Sequence, residues 1–392
     1  MSINSPPAFP ASLRCGYSDF IAQCEGESCN YSLTPEADVS SYASCFSIFG
    51  RHLLRSTVDS RTAARLAVHL RAALRGVRGN GDILRGKPYR QLLAFVLSAL
   101  AALGQMETDP LPDLIREQLP TDLGKELVGL GCLEGKPGSG NQAMFLAIFL
   151  LHARDYLGVD TKDQINQWVD LHQGAMNRFG FWGPDKGMTH LQFQNGYHQY
   201  EIFEYLGVKN PRKEEAMAAV RSLADPQGHF APYPGGGGCY DYDAVFVLTP
   251  DGKIPDPRTQ ALLLRTAETL KAEQRPDGGF AESLYIRPRC PANLVRFASQ
   301  IAHAVGNGPL FLERLRYALT LQRPRHNRIH THWSQYSRRW NESDLWDSWF
   351  RMMTLARIEV ALDPSAASRW GFIDYPGIGY HPSLRCQGVT AA

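Results

Sequence analysis

Blocks of like charge are missing from this 392-residue sequence, in which 41 Lys and Arg stand against 39 Asp and Glu for a net charge of +2. Neutralising a phosphate backbone takes a concentrated basic face, so no nucleic-acid partner is expected. Long apolar runs are missing too. The longest, Gln91–Leu103 and Ala143–Leu151, fall short of the ~18–20 residues that cross a bilayer. The first residues carry Pro7, Pro10 and Arg14 but no apolar stretch, so no secretory signal is expected. Paired cysteine spacing is absent among Cys15, Cys24, Cys29, Cys45, Cys132, Cys239, Cys290 and Cys386. Cys24 and Cys29 alone are a weak zinc pair. Reduced thiols are expected, with a bridge among the first three left open. The expected location is the cytoplasm or the periphery of a membrane.

What the sequence does have is a repeat. A glycine-rich turn with an aromatic residue, a short irregular stretch and an apolar helix recur in the second half. The turns are Arg178–Gly183, Asp225–Phe230 and Gln274–Phe280, with a looser copy at Trp333. Their marking aromatics, Phe181, Phe230, Phe280 and Trp333, are 49, 50 and 53 residues apart. About 50 residues accommodate two helices of roughly 12–15 residues and two loops, one helical hairpin. The apolar helices start near His190, Cys239, Pro291 and Ser343. More polar helices at Pro211–Ala224, Asp256–Glu273 and Leu310–Gln322 lie between them. The first half carries helical periodicity at 39–54, 61–75, 89–103, 111–118, 142–157 and 162–178.

Helices that are apolar nearly all round demand burial on every side. The expected fold is therefore all-α, an (α/α)6 toroid in which apolar helices form the inner ring, with an open solenoid as the alternative. The expected organisation is an extension at 1–35, one toroid domain at 36–365, and a tail at 366–392. That tail carries Trp370, Phe372, Tyr375 and Tyr380 and serves as a lid or as packing.

Two of these segments resemble a known superfamily. Gln274–Arg275–Pro276–Asp277–Gly278–Gly279–Phe280 is similar to the glutamine–aspartate–glycine–aromatic repeat of squalene–hopene cyclases and protein prenyltransferases. Asp225–Phe230 is a partial copy and Gly180–Trp182 a poor one, so the likeness covers roughly residues 178–362. Cys239–Tyr240–Asp241–Tyr242–Asp243–Ala244–Val245 resembles the D-x-D-D motif of class II terpene cyclases, whose middle acid protonates an alkene or epoxide. The resemblance implies that Asp243 is that acid and Asp241 the first Asp of the motif. Ala244 stands where the last acid belongs. Cys239-x-Asp241, with His198 or His303, is the reverse of the prenyltransferase zinc pair, and neither metal nor cofactor is expected.

Read as residues alone, the same positions keep a plainer alternative. Asp241 and Asp243 open a helix, where carboxylates are stabilised by free N–H groups and the dipole. Residues two apart do not share a helix face, so they are not a proton-sharing pair. On the helix from His190, Gln194, Tyr197, His198 and Glu201 fall on one side. There His198 is a candidate base oriented by Glu201, or part of a buried hydrogen-bond network. Asp344 and Asp347 lie three apart on the last helix, behind a candidate N-cap at Ser343, and serve as an acid pair or as a cap with a salt bridge to Arg351. Trp182, Tyr197, Tyr240, Tyr242, Trp333 and Trp346 are candidates to line a substrate site, where ring faces stabilise a cation.

The leading expectation is a terpene cyclase-like enzyme, a cyclase or isomerase for a hydrophobic isoprenoid. Its catalytic candidates are Asp243, Asp241, His198 and Asp347. Its binding candidates add Glu201 and Asp344 to the aromatic residues. The alternatives are a carbohydrate-active enzyme on the same ring, using carboxylates for acid–base work, and a non-catalytic toroid that binds a lipid or a protein.

Overall fold

A computed structural model describes residues 9–27, 30–56, 58–77, 81–106, 111–250 and 254–384. Pro7, Cys29 and Cys386 lie outside them. Helices dominate, and the chain forms two compact units: residues 1–56, 186–190 and 217–371, and residues 57–185, 191–216 and 372–392. The first unit begins with α1 (Ala11–Gln23) and α2 (Ser41–Leu53). The second contains α3 (Ser60–Gly76), α4 (Gly81–Leu84), α5 (Lys87–Ala102), α6 (Pro112–Arg116), α7 (Leu123–Leu130), α8 (Ser139–Leu157), α9 (Lys162–Gly174) and nearly all of α10 (His190–Leu206). The chain returns to the first unit within α11 (Lys213–Arg221), then adds α12 (Gly238–Leu248), α13 (Pro257–Ala272), α14 (Pro291–Ala302), α15 (Gly308–Leu321) and α16 (Leu345–Leu362). No helix among the described residues is long and apolar enough to cross a membrane.

Burial separates two kinds of helix. α5 is buried from Tyr89 to Leu100, α12 from Tyr240 to Leu248, and α16 from Leu345 to Ala361. These are the helices whose sequences are apolar nearly all round. α3, α9 and α13 bury one stripe each, as in Leu263, Thr266, Ala267 and Leu270 of α13. α14 departs from expectation. It buries Asn293, Phe297 and Gln300 but exposes Leu294 and Val295, so it is two-faced.

The repeat is a hydrogen-bond pattern. In each of three turns the first residue's N–H donates to the carbonyl four residues on: Asn177 to Phe181, Asp225 to His229, Arg275 to Gly279. A glycine with positive φ closes each turn: Gly180 at 77°, Gly228 at 91° and Gly278 at 88°. The two following residues bring in Trp182, Phe230 and Phe280, all buried. The equivalent aromatic in the first copy is thus Trp182 rather than Phe181.

Two further features complete the first unit. α1 folds within the segment expected to be an extension. Phe20 packs against Gly279, and Gln274 Nε2 donates to Leu13 O at 2.9 Å. Residues 328–339 form an antiparallel hairpin of β2 (Arg328–Thr331) and β3 (Ser334–Arg339), after a two-residue β1 (Phe280–Ala281) that pairs with β4 (Ser343–Asp344). Asp344, not Ser343, is the N-cap of α16: its carboxylate accepts from Asp347 N at 2.9 Å, while Ser343 Oγ donates to Asp277.

Candidate active site

In the first unit the chain enters α12 through four glycines, at the last of which, Gly238, α16 leaves no room for a side chain. A Cβ on Gly238 would lie 3.0 Å from the carbonyl oxygen of Asp347. Gly237 holds φ at 70°, and a Cβ there would meet the Tyr240 ring at 2.5 Å. The first turns of the two helices are thereby held side by side, and Gly238 N donates to Asp347 Oδ1 at 3.3 Å.

Two buried ionic groups meet these turns. In one, the Asp241 carboxylate accepts from Phe230 N at 2.9 Å and from Arg351 at 3.0 Å, with His229 Nδ1 at 3.2 Å. Glu273 closes the group, 3.0 Å from His229 Nε2 and 3.3 Å from Arg351. Burial alone would lower the His229 pKa, but Glu273 and Asp241 push it up to about 10. Against its own burial, the Glu273 carboxyl is held below the usual range by His229 and Arg351. Two cations therefore face two anions, an arrangement that neutralises itself.

The second group is unbalanced. One guanidinium, Arg338, meets three carboxylates: Asp344, Asp347 at 3.1 Å and Glu282 at 3.2 Å. Burial first, then the neighbouring Asp347, raises the Glu282 carboxyl to about 7, and burial raises Asp344 well above the carboxylate range. Like charges so close cannot all ionise in a buried site, so the group holds a proton near neutrality. Tyr233 donates its hydroxyl to Glu282 at 2.5 Å.

Cys239 ties these groups to Asp243. Its thiol is pushed well up by burial and then by Asp243, Glu282, Asp347 and Asp241, so all four carboxyls lie within electrostatic reach of one sulfur. Cys239 is half-buried, while the rest of α12 is buried. Asp243 itself is buried, as are Tyr240 and Tyr242. No group of three His, Cys, Asp or Glu side chains among the described residues is arranged to hold a metal ion.

An aromatic cluster belongs to the same unit. The Trp346 ring lies 4.0 Å from Trp333, 4.4 Å from Phe350 and 5.0 Å from Phe46, and Tyr242 lies 5.5 Å from Phe350. Trp333, in the turn of the hairpin, remains half-buried.

The remaining candidates belong to the second unit. His198 is buried, and burial with the Lys87 cation lowers its pKa well below the usual value, leaving it neutral. The Tyr197 ring lies 4.0 Å from it, tilted by 45°, and Glu201 is fully buried. Trp182 donates its indole N–H to His172 O at 2.9 Å. Asp241, Asp243, Asp344 and Asp347 are thus brought together in the first unit, and His198 and Tyr197 belong to the second.

Sequence reasoning overlooked His229, Glu273, Glu282 and Arg338. Glu282 carries a faint signal, since it follows the repeat aromatic Phe280 by two residues. Arg338 carries none, because a hairpin was not expected there. Asp344 and Asp347, for which a cap with a salt bridge to Arg351 was one of two readings, pair with Arg338, and Arg351 pairs with Asp241.

No protein-family model matches the sequence, and no curated protein matches it. Solved structures do. The chain is similar to the type II terpene cyclase MstE from Scytonema, in a variant bound to its substrate geranylgeranyl dihydroxybenzoate. The TM-score is 0.51 at 13% identity, over 90% of this chain and 97% of the other. The apo form of MstE gives 0.49 at 13% identity, over 91% and 98%. At this identity the likeness concerns the fold: the expected all-helical, terpenoid cyclase-like fold is the one observed.

Proposed function

We propose that this chain is a terpene cyclase-like enzyme that starts cyclisation or isomerisation of an isoprenoid by protonating it, with Asp243 as the acid. The observation that carries the reading is the grouping of Asp243 with Glu282 and Asp347 around Cys239, on a helix whose entry is packed against α16. Ala244 stands where a D-x-D-D motif has its last acid. In this reading Asp347 and Glu282, from other segments, replace the missing carboxyl. Asp241 is a positioning residue, because its oxygens are engaged by Phe230, His229 and Arg351.

The chemistry balances without a co-reactant. The acid's proton adds to one carbon of an alkene, and the cation left on its neighbour is attacked by an internal double bond. Loss of a proton from the cyclised cation restores neutrality, so the product is an isomer of the substrate. The rings of Trp346, Trp333, Phe46 and Phe350 suit a passing carbocation through their quadrupoles, and fixed dipoles in a dry site supply the rest. A hydrophobic prenyl chain, free or attached to an aromatic acid as in the substrate of MstE, is the proposed substrate class.

The test is incubation of the protein with geranylgeranylated aromatics and polyprenyl diphosphates, and with an oligosaccharide panel, beside Asp243→Asn. Cyclised product that disappears in the variant is the expected result. Undiminished cyclisation in Asp243→Asn removes the role of Asp243. Turnover of sugars alone replaces the reading by a carbohydrate-active one.

A further inference from the structure

The second unit contains a set of polar groups that makes sense around an anion. α8 begins at Ser139 behind Gly138, which lies at φ 78° and gives no side-chain cap. Its first turn is met by Asn195 of α10. The Asn195 Oδ1 accepts from Gly140 N at 2.8 Å and from Ser139 Oγ at 3.4 Å. This fixes the other end of the amide: Asn195 Nδ2 is a buried donor with no hydrogen-bond partner in a side chain 4% exposed. One turn further along α10, His198 is 5% exposed and its Nδ1 is likewise buried without a partner.

Lys87 adds a cation. It is the first residue of α5, where a positive charge opposes the helix dipole. Its amino nitrogen would lie 3.9 Å from a Cβ on Gly138, which puts it at the start of α8 as well. It is close enough to His198 to depress that imidazole's pKa, and its own pKa is lowered by burial. Among the described residues Lys87 makes no hydrogen bond or ion pair. A half-buried lysine at two helix N-termini, an orphan amide donor and an orphan imidazole nitrogen are each unfavourable alone. A buried donor or acceptor without a hydrogen-bond partner forfeits its hydration, and such groups call for an occupant.

We infer that Lys87, Asn195, His198 and the N-terminus of α8 form a binding subsite for an oxyanion, a carboxylate or a phosphate. One anion would satisfy all four: a salt bridge to Lys87, charge-assisted bonds from Asn195 Nδ2 and from His198 as its Nδ1–H tautomer, and the positive end of a 19-residue helix. The inference rests on the second unit alone and stands whether or not the protein is a cyclase.

The test is calorimetric titration of the full chain with inorganic phosphate and, separately, with benzoate, comparing the native protein with Lys87→Gln, Lys87→Arg and His198→Phe. Near-UV circular dichroism and a melting curve verify that each variant is folded. The native protein is expected to bind one of the two probes and to be thermally stabilised by it. Lys87→Gln is expected to weaken that binding about tenfold or more, the loss of one charge-assisted bond, and Lys87→Arg to retain most of it. Phosphate binding with benzoate silent assigns a phosphate group, and the reverse assigns a carboxylate. Binding of neither probe overturns the subsite. So does equal binding by native and folded Lys87→Gln protein, and if Lys87→Gln does not fold, His198→Phe takes its place in that comparison.

Discussion

Arg351 donates to Asp241 across 3.0 Å with both side chains buried, and the same guanidinium reaches Glu273 and the carbonyl of Gly235. This contact connects α16 to the first turn of α12 and to the glycine run before it. Replacing Arg351 with Met strands the charges of Asp241 and Glu273, and breaking such a buried pair costs about 3–5 kcal/mol. A urea titration is expected to show the midpoint falling accordingly. Adding Asp241→Asn to Arg351→Met should cost less than the sum of the two single changes, because the residues share one network.

The same network sets a pH limit. A histidine at about 10 instead of 6.5 contributes its full stabilisation below pH 6.5 and loses it as pH climbs through 10. Melting temperature is expected to decline over that alkaline window. In His229→Gln the decline should flatten, and an unchanged slope would show that His229 is not the group responsible.

Glu282 works in the opposite sense. A carboxyl raised from 4.5 to about 7 favours the folded state only while protonated, and that contribution fades as pH passes 7. Glu282→Gln is neutral at every pH and keeps an acceptor for Tyr233. It is expected to be at least as stable as the native protein at pH 8 and to remove the part of the pH dependence between 4.5 and 7. A large loss of stability at pH 8 instead would mean that Glu282 is held as an anion.

For activity, Asp243 and Asp241 should separate cleanly. Asp243→Asn is expected to fold normally and to lose roughly 10²–10⁴-fold in cyclisation rate, the range for removal of a general acid. Asp241→Asn should lower the melting temperature as well as the rate. If both variants keep their stability and lose activity equally, the positioning role of Asp241 fails.

Gly237 offers a backbone test. Alanine there meets both the positive φ and the Tyr240 ring, so Gly237→Ala should destabilise by about 1–3 kcal/mol. Gly306→Ala, where nothing lies within 4 Å of the added carbon, is the matched control and should change the melting temperature little.

Much of the helical order was legible in the sequence because period and burial agree. α5, α12 and α16 are apolar nearly all round and are buried along most of their length. α14 misled because Pro291–Ala302 reads as apolar while two of its large apolar residues, Leu294 and Val295, face outward. The pairing of carboxylates on α12 and α16 was half visible. Asp241, Asp243, Asp344 and Asp347 stand out as acids at helix starts. His229, Glu273, Glu282 and Arg338 do not, since each comes from a different turn, helix end or hairpin and gains its role only through contacts distant in sequence. In the first repeat Phe181 and Trp182 are adjacent aromatics, and only the position of Gly180 in the turn decides between them.

Cys239 gives this site a built-in reporter. A thiol kept protonated among four carboxyls has an S–H stretch in a region of the vibrational spectrum that the peptide group leaves clear. Its frequency follows the local electric field. Each proton gained or lost by Asp243, Glu282 or Asp347 would therefore be read as a shift of the one band, among those of the eight cysteines, that Cys239→Ala removes.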